Sequence, residues 1–430
     1  MIGILGILVL LAALFVLGTP VGFAMAIVGF VGFCYVLNFK AGLGMLSTDL
    51  WMTFSKYGLT VIPLFVFMGQ VAFHSGVNEK LYRTAHTWVG HIRGGIAMAT
   101  VLACAAFSAI CGSNAATAAT MTTVALPEMN KYSYQPILST SSIAAGSTLG
   151  VVIPPSVVLI VIGLYTGQPI AKLFYGGISA GVLLAVCLAL TVYFLCLLKP
   201  QWGPLGEKAT WGQRLRSLPG AFEMVVLFLL VMVGLYIGVF TPAEAGAVGS
   251  FFAVVLSAAQ RRLTLRGLVN AIMETLRISC MVIVIVAGAV VFGRFLAVTR
   301  IPFEIAAWVA DLPIPGLAVM MIIFGIYIVG GALMDALALL LITIPIFFPV
   351  AESLGYDPIW FGVTITVVTT LGAITPPVGA TTYVVAGMAP EVPLERIFKG
   401  VLLFMPAYIF TLLVLTLFPE VVTYLPSAMR

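Results

Sequence analysis

Charge is what this sequence has least of: 8% of its 430 residues are Asp, Glu, Lys or Arg, where a soluble protein carries roughly a quarter. With 62% hydrophobic residues, no water-soluble fold could cover its own surface, which excludes a soluble domain of any size. CxxC spacing is absent too. The six cysteines (Cys34, Cys104, Cys111, Cys187, Cys196 and Cys280) sit inside apolar stretches, a pattern of small helix-packing residues rather than of a metal site or disulfide framework. There is no HExxH and no acid/base pair buried in register, so an intramembrane hydrolase is the weaker reading. The N-terminus is apolar from Ile2 onward, without a basic leader region or a small-residue cleavage site, and reads as a retained membrane segment. The net charge of +5 is scattered through loops, which argues against nucleic acid as a partner and for topology signalling.

What is abundant is apolar sequence of bilayer-crossing length, recurring from end to end, as at 173–198, 219–239, 278–298 and 401–418. Periodicity and turn residues predict helices at about 3–18, 21–38, 57–74, 94–111, 114–128, 173–198, 219–239, 242–259, 276–298, 314–333, 335–350 and 401–418. Two more, 135–166 and 358–388, are broken at Pro154-Pro155 and Pro376-Pro377. Short basic loops stay in the cytoplasm, so the Lys199 to Arg216 loop is placed inside and the others follow by alternation. Thirteen Lys and Arg then fall inside and five outside (Lys40, Lys56, Lys172, Arg300, Arg430), with Arg277 and Arg294 uncounted near helix ends. A mistraced topology would rarely split them so unevenly. Val77 to Arg93 is too polar to span and has Leu81, Ala85, Trp88 and Val89 at helical spacing, which predicts an amphipathic arm on the cytoplasmic interface. Trp211 and the basic residues at 261–266 predict similar surface helices, and His74, His86 and His91 fall at the same edge.

The chain also repeats itself. Leu149 to Pro155 matches Leu371 to Pro377 as LGxxxPP at an offset of 222, with Ser142, Ser147 and Thr148 matching Thr364, Thr369 and Thr370. At an offset of 221, Ser113-Asn114 aligns with Met334-Asp335 and Thr122 with Thr343. Downstream, Lys172, Phe174 and Gly176 match Arg396, Phe398 and Gly400 after a two-residue gap. The loop holding Lys131 traces to the cytoplasm and its equivalent at 351–357 to the opposite side, so the repeats are inverted. The expected fold is an all-α polytopic membrane protein with an inverted repeat, two re-entrant helical hairpins and two discontinuous helices, the arrangement in which secondary transporters hold ions and substrate at the membrane midplane.

Backbone accounting says why. A Pro-Pro step removes two N–H donors and leaves the carbonyls of Gly150 to Ile153 without intrahelical partners. A small hard cation suits such carbonyls, with Ser, Thr, Asn or Asp side chains completing its shell. The helix resuming after Pro155 or Pro377 directs N–H groups and its positive dipole end inward, which suits a carboxylate. A single proline pair is ordinarily a structural kink; two at equivalent, opposed positions beside polar tips point to a site. Asp335 is the only acid between Ala318 and Val350 and reads either as a ligand or as a cap on hairpin N–H groups. Glu244, three residues after Thr241, reads as a capping box, and Arg294 as a snorkelling side chain.

At the Ser113-Asn114 tip, the paired LGxxxPP breaks and the second tip from Gly331 to Asp335, the sequence resembles the large membrane subunit of TRAP transporters, the tripartite ATP-independent periplasmic family, over essentially its whole length. The resemblance implies an elevator-type fold of the ion transporter superfamily with sodium as the coupling ion, in a bacterial or archaeal inner membrane. It also implies a separate small four-helix membrane subunit and a periplasmic binding protein that delivers a small organic acid, such as a C4-dicarboxylate, sialic acid or another sugar acid. Carried onto this sequence, one sodium lies between Ser113 and Asn114 and the first break, with Gly150, Val152 and Pro154. A second lies between Gly331, Met334 and Asp335 and the second break, with Gly372, Thr375 and Pro376. Substrate is expected between them, near Ser113, Asn114, Thr148, Pro155, Ser156, Asp335, Pro377 and Thr381. The Met-Asp of the second tip departs from the Ser-Asn pattern of the first. The nearest rival is a stand-alone sodium/dicarboxylate symporter of the same superfamily; a passive channel stands further off. The expected division is scaffold and arm at 1–93, first repeat at 94–198, scaffold at 199–277, a connecting helix at 278–313, second repeat at 314–418 and a tail at 419–430.

Overall fold

A chain with so little charge is held by helix packing on helix. In this computed structural model, which describes residues 2–206, 208–310 and 313–429, all regular structure among the described residues is helical. Arg430, counted among the outer basic residues, lies outside that range.

The scaffold begins with α1 (Ile2–Phe15), α2 (Val21–Val36), α3 (Phe39–Phe54) and α4 (Val61–His74), followed by the arm α5 (Val77–Val89). The first repeat comprises α6 (Gly95–Cys111), α7 (Asn114–Lys131), α8 (Pro136–Ser147), α9 (Val157–Thr166) and α10 (Ile170–Leu198). A short surface helix α11 (Trp211–Ser217) leads into α12 (Pro219–Tyr236), α13 (Pro242–Ala259), α14 (Leu265–Val298) and α15 (Ile301–Ala310). The second repeat is α16 (Gly316–Leu333), α17 (Ala336–Ser353), α18 (Pro358–Gly372), α19 (Ala380–Met388), α20 (Leu394–Leu402) and α21 (Met405–Leu417), and α22 (Glu420–Ser427) closes the chain. Among the described residues seven helices are long and apolar enough to cross a membrane, or eight if α20 and α21, bent by 40°, form one span.

Scaffold packing follows side-chain size. Gly22, Gly29 and Gly32 of α2 face Val284, Phe292 and Phe295 of α14, so the two helices run parallel and their backbones approach closely, as small residues allow in membrane helices. In the core the repeats interlock: α19 packs on α7 and α8, α20 on α8, and α18 on α9 and α10.

Several elements depart from expectation. Helix α3 falls on 39–54, where no helix is expected; its polar residues Lys40, Ser47, Thr48 and Asp49 mask an amphipathic pattern. The basic residues at 261–266 form a turn, with Arg261 in the left-handed region (φ 54°), and the start of α14 rather than a separate surface helix. The tail at 419–430 contains α22, which packs on α10 and α18.

Arg294 does not snorkel free. Its Nε and an Nη reach the two oxygens of Asp49 on α3 at 3.0 and 3.1 Å, a two-pronged pair whose aspartate side chain is 6% exposed and whose arginine is 61% exposed. The asymmetry predicts unequal mutants. Arg294→Ala strands a buried carboxylate and is expected to cost about 3 kcal/mol, whereas Asp49→Ala releases an arginine that already reaches the surface, at about 1 kcal/mol. Melting temperatures of the two variants in one detergent check this; equal losses would refute it.

Candidate functional site

The first hairpin turns through Gly112, whose φ of +64° is left-handed backbone that glycine adopts without strain. Ser113 follows in extended conformation and caps α7, its hydroxyl accepting from the Ala116 N–H at 3.4 Å. Asn114 is the first residue of α7, so its amide is held at the hairpin tip. The second tip is built on the same plan with different chemistry. Met334 is extended, and Asp335 caps α17 by accepting from the Leu337 N–H at 3.0 Å. The capping alternative for Asp335 is therefore satisfied in this structure, and one carboxylate oxygen serves it.

Each tip rests on the break of its own repeat, and a glycine makes the approach possible. A Cβ on Gly150 would lie 2.6 Å from the carbonyl carbon and oxygen of Ser113 and 2.9 Å from the Asn114 nitrogen. A Cβ on Gly372 would lie 2.6 Å from the Ile328 oxygen and 2.7 Å from the Gly331 Cα. Both Pro-Pro bonds, Pro154-Pro155 and Pro376-Pro377, are cis. The matched hydroxyls also behave alike: Ser147 and Thr369 donate four residues back, to Ile143 and Ile365, and Thr148 and Thr370 three residues back, to Ala145 and Val367. Thr122 and Thr343, in the second helix of each hairpin, both donate four residues back at 2.7 Å.

The breaks differ in how their carbonyls are used. In the first, Leu149 accepts from the Val152 and Ile153 N–H groups, and Val151 accepts the Ser156 hydroxyl at 2.5 Å. Among the described residues no donor reaches the Gly150 carbonyl, and the Asn114 Oδ1 is buried without a hydrogen-bond partner. In the second, the Gly372 carbonyl accepts from the Thr375 N–H and hydroxyl, Ala373 from the Thr381 N–H, and Ile374 from the Thr382 hydroxyl. The Val378 and Gly379 N–H groups both turn to Ala332 at the tip.

Exposure separates the remaining residues. Val152, Pro154, Pro155 and Ser156 are buried, while Pro376, Pro377 and Val378 are exposed, as is Asp335. Thr381 is buried one helical step into α19. Thr148 is fully buried, 2.6 Å from the Tyr408 hydroxyl, which itself donates to Ala145 at 3.0 Å. Tyr408 ties α21 of the second repeat to the first break, and the sequence reading passed over it. So it did Tyr327, 2.8 Å from the Thr343 hydroxyl inside the second hairpin. A lone tyrosine in an apolar run, which must find a partner when buried, was the available signal for both. Glu244 is the expected capping box, accepting from the Thr241 N–H at 2.8 Å.

Residues 8–421 match the family described as Tripartite ATP-independent periplasmic transporter, DctM component. The chain belongs to that family. It is 32% identical over 393 residues to the C4-dicarboxylate TRAP transporter large permease protein DctM of Pseudomonas aeruginosa, covering 89% of each chain. It is 30% identical over 412 residues to the sialic acid TRAP transporter large permease protein SiaM of Vibrio cholerae, covering 95% of each. The Alcanivorax borkumensis YdaH transporter, a solved structure, superimposes with a TM-score of 0.63 at 15% identity over 87% of this chain and 88% of that one, a likeness of fold alone. The DctM-family chain is thus a transporter component and not an enzyme.

Proposed function

We propose that this chain is the large permease subunit of a tripartite transporter that carries a small organic acid into the cell across the bacterial or archaeal inner membrane. Sodium drives the uptake, and the interlocked two-repeat core moves as an elevator against the scaffold of α2, α4, α13 and α14. A small four-helix membrane subunit and a periplasmic binding protein complete the system. The observation that carries the reading is the seating of a polar tip on a broken helix, twice, in inverted repeats.

Sodium fits the first site. Among the described residues the Asn114 Oδ1 has no partner and no donor reaches the Gly150 carbonyl, and Gly150 packs against the Asn114 backbone nitrogen. Neutral oxygens of this kind suit a hard cation. At the second site the break carbonyls are already occupied by Thr375, Thr381 and Thr382, so a cation there would rely on Asp335 or displace these donors. Substrate carboxylate finds the N-terminal ends of α9 and α19 at the two breaks, where the helix dipole is positive. C4-dicarboxylates and sialic acid, named for the two relatives, are both carboxylates and set the substrate class.

The test is uptake into liposomes holding this chain and the small subunit, with the binding protein outside and a panel of acids. Accumulation of a C4-dicarboxylate or sugar acid only under an inward sodium gradient, and only with the binding protein, is the expected result. Uptake by this chain alone would replace the tripartite reading with the stand-alone symporter. Accumulation indifferent to sodium would remove the coupling.

A further inference from the structure

Away from the tips and breaks, a cavity of about 1020 Å³ opens between the arm α5, the 208–217 segment and the start of α12, at the end of the bundle that the basic loops assign to the cytoplasm. Lys80, Arg83, Lys208, Arg216 and Arg262 line it against the single carboxylate of Glu223. Two of the cations are engaged: Arg83 with Glu79 at 2.6 Å and Arg262 with Glu223 at 3.3 Å. Among the described residues Lys80, Lys208 and Arg216 have no acidic partner. His86 also faces the cavity; burial lowers its imidazole pKa, opposed by Glu128 and assisted by Lys131, so it contributes no charge at neutral pH.

We propose that this cavity binds the phosphate of an anionic phospholipid headgroup, bridging the arm to the scaffold. Position argues for a lipid. The ends of two candidate spans line it, α12 from Pro219 and α13 just before Gln260 and Arg262, which places the cations at headgroup depth, where basic pockets between helices take anionic lipids. Apolar side chains stand beside the charges as acyl chains require: Phe222, on the cavity wall, is 66% exposed and Leu215 59%. Trp211, 69% exposed and edge-on to Trp88, supplies an interfacial anchor. The bridge also follows an existing contact, since the Thr84 hydroxyl on α5 donates to the Ser217 carbonyl at 2.8 Å.

A soluble phosphate ester offers the same chemistry to the same cations, and the experiment separates the two. The full chain, purified in mild detergent with its membrane subunit and delipidated, is titrated with short-chain phosphatidylglycerol, with phosphatidylcholine and with inorganic phosphate, following thermal stability. Phosphatidylglycerol is expected to stabilise it while the other two do not. In Lys80→Ala/Lys208→Ala/Arg216→Ala the apparent affinity falls roughly a hundredfold, about fivefold for each cation. Lys80→Arg/Lys208→Arg retains it. Among the described residues these three have no acidic partner, so their loss is expected to leave the fold intact, and the melting temperature without lipid checks that. Equal stabilisation by inorganic phosphate would overturn the lipid in favour of a soluble anion. Unchanged phosphatidylglycerol affinity in the triple variant, or no response to any of the three, would overturn the site.

Discussion

Asn114→Ala is expected to shift sodium-dependent uptake to far higher sodium concentrations while leaving the protein at least as stable as before when sodium is absent. A buried amide oxygen without a partner costs about 1–3 kcal/mol, and the Asn114 Oδ1 is such an atom. A bound cation would offset that cost, and the Gly150 carbonyl, which no donor reaches among the described residues, could share it. Removing the amide deletes both the cost and the ligand. If an oxygen ligand to a charged group contributes about 2–3 kcal/mol, the sodium concentration for half-maximal uptake rises roughly 30–150-fold. The wild-type protein is expected to gain about 2.7 kcal/mol at a hundredfold excess of sodium over its dissociation constant, and the variant about 0.3–0.9 kcal/mol at that concentration. Ser113→Ala provides the contrast, since its hydroxyl caps α7: about 1 kcal/mol of stability is lost with or without sodium. An Asn114→Ala protein whose melting temperature still climbs with sodium as the wild type does would remove the first site.

How much of this was legible in the sequence depends on whether the signal was local. The Pro-Pro breaks, the tip at Ser113-Asn114 and the hydroxyls behind them announce themselves because a proline or a polar residue in an apolar run has few innocuous explanations, and the structure brings each tip onto its own break. The capping box at Thr241 and Glu244 was legible for the same reason, since all of its parts lie within four residues. Long-range partners were not legible. Nothing near Arg294 indicates that Asp49, 245 positions away, meets it, because the helix bearing Asp49 was hidden by its polar residues. The 260-residue link from Thr148 to Tyr408 is equally invisible. The asymmetry between the breaks was hidden as well: Thr375 reads as a candidate ligand and nothing in the sequence singles out Thr382, and only the folded backbone shows both filling the carbonyls that the Pro-Pro step left open.

Gly372→Ala is expected to reduce uptake to the background of empty liposomes, and Gly325→Ala, on the hairpin that Gly372 packs against, to leave it unchanged. The two substitutions add the same methyl group. At Gly372 it would meet the Ile328 carbonyl oxygen at 2.6 Å and the Gly331 Cα at 2.7 Å, both backbone atoms of α16, so no side chain can rotate away and the helices must part. At Gly325 nothing lies within 4 Å, and replacing a helical glycine by alanine stabilises by about 0.5–1 kcal/mol. Overpacking of this kind costs about 1–3 kcal/mol, too little to unfold so large a membrane protein but enough to lift the second tip off its break. Val378 and Gly379, which bond to Ala332 at that tip, would lose their acceptor in the same movement, so the damage reaches the start of α19. Folding and transport therefore separate in this pair. Gly372→Ala should express, run as a single species in detergent and bind its membrane subunit, yet fail to accumulate substrate. Normal accumulation by Gly372→Ala with wild-type sodium dependence would mean that the seating of the second tip is an accident of packing, and the transport cycle would then have to be sought in the first repeat alone.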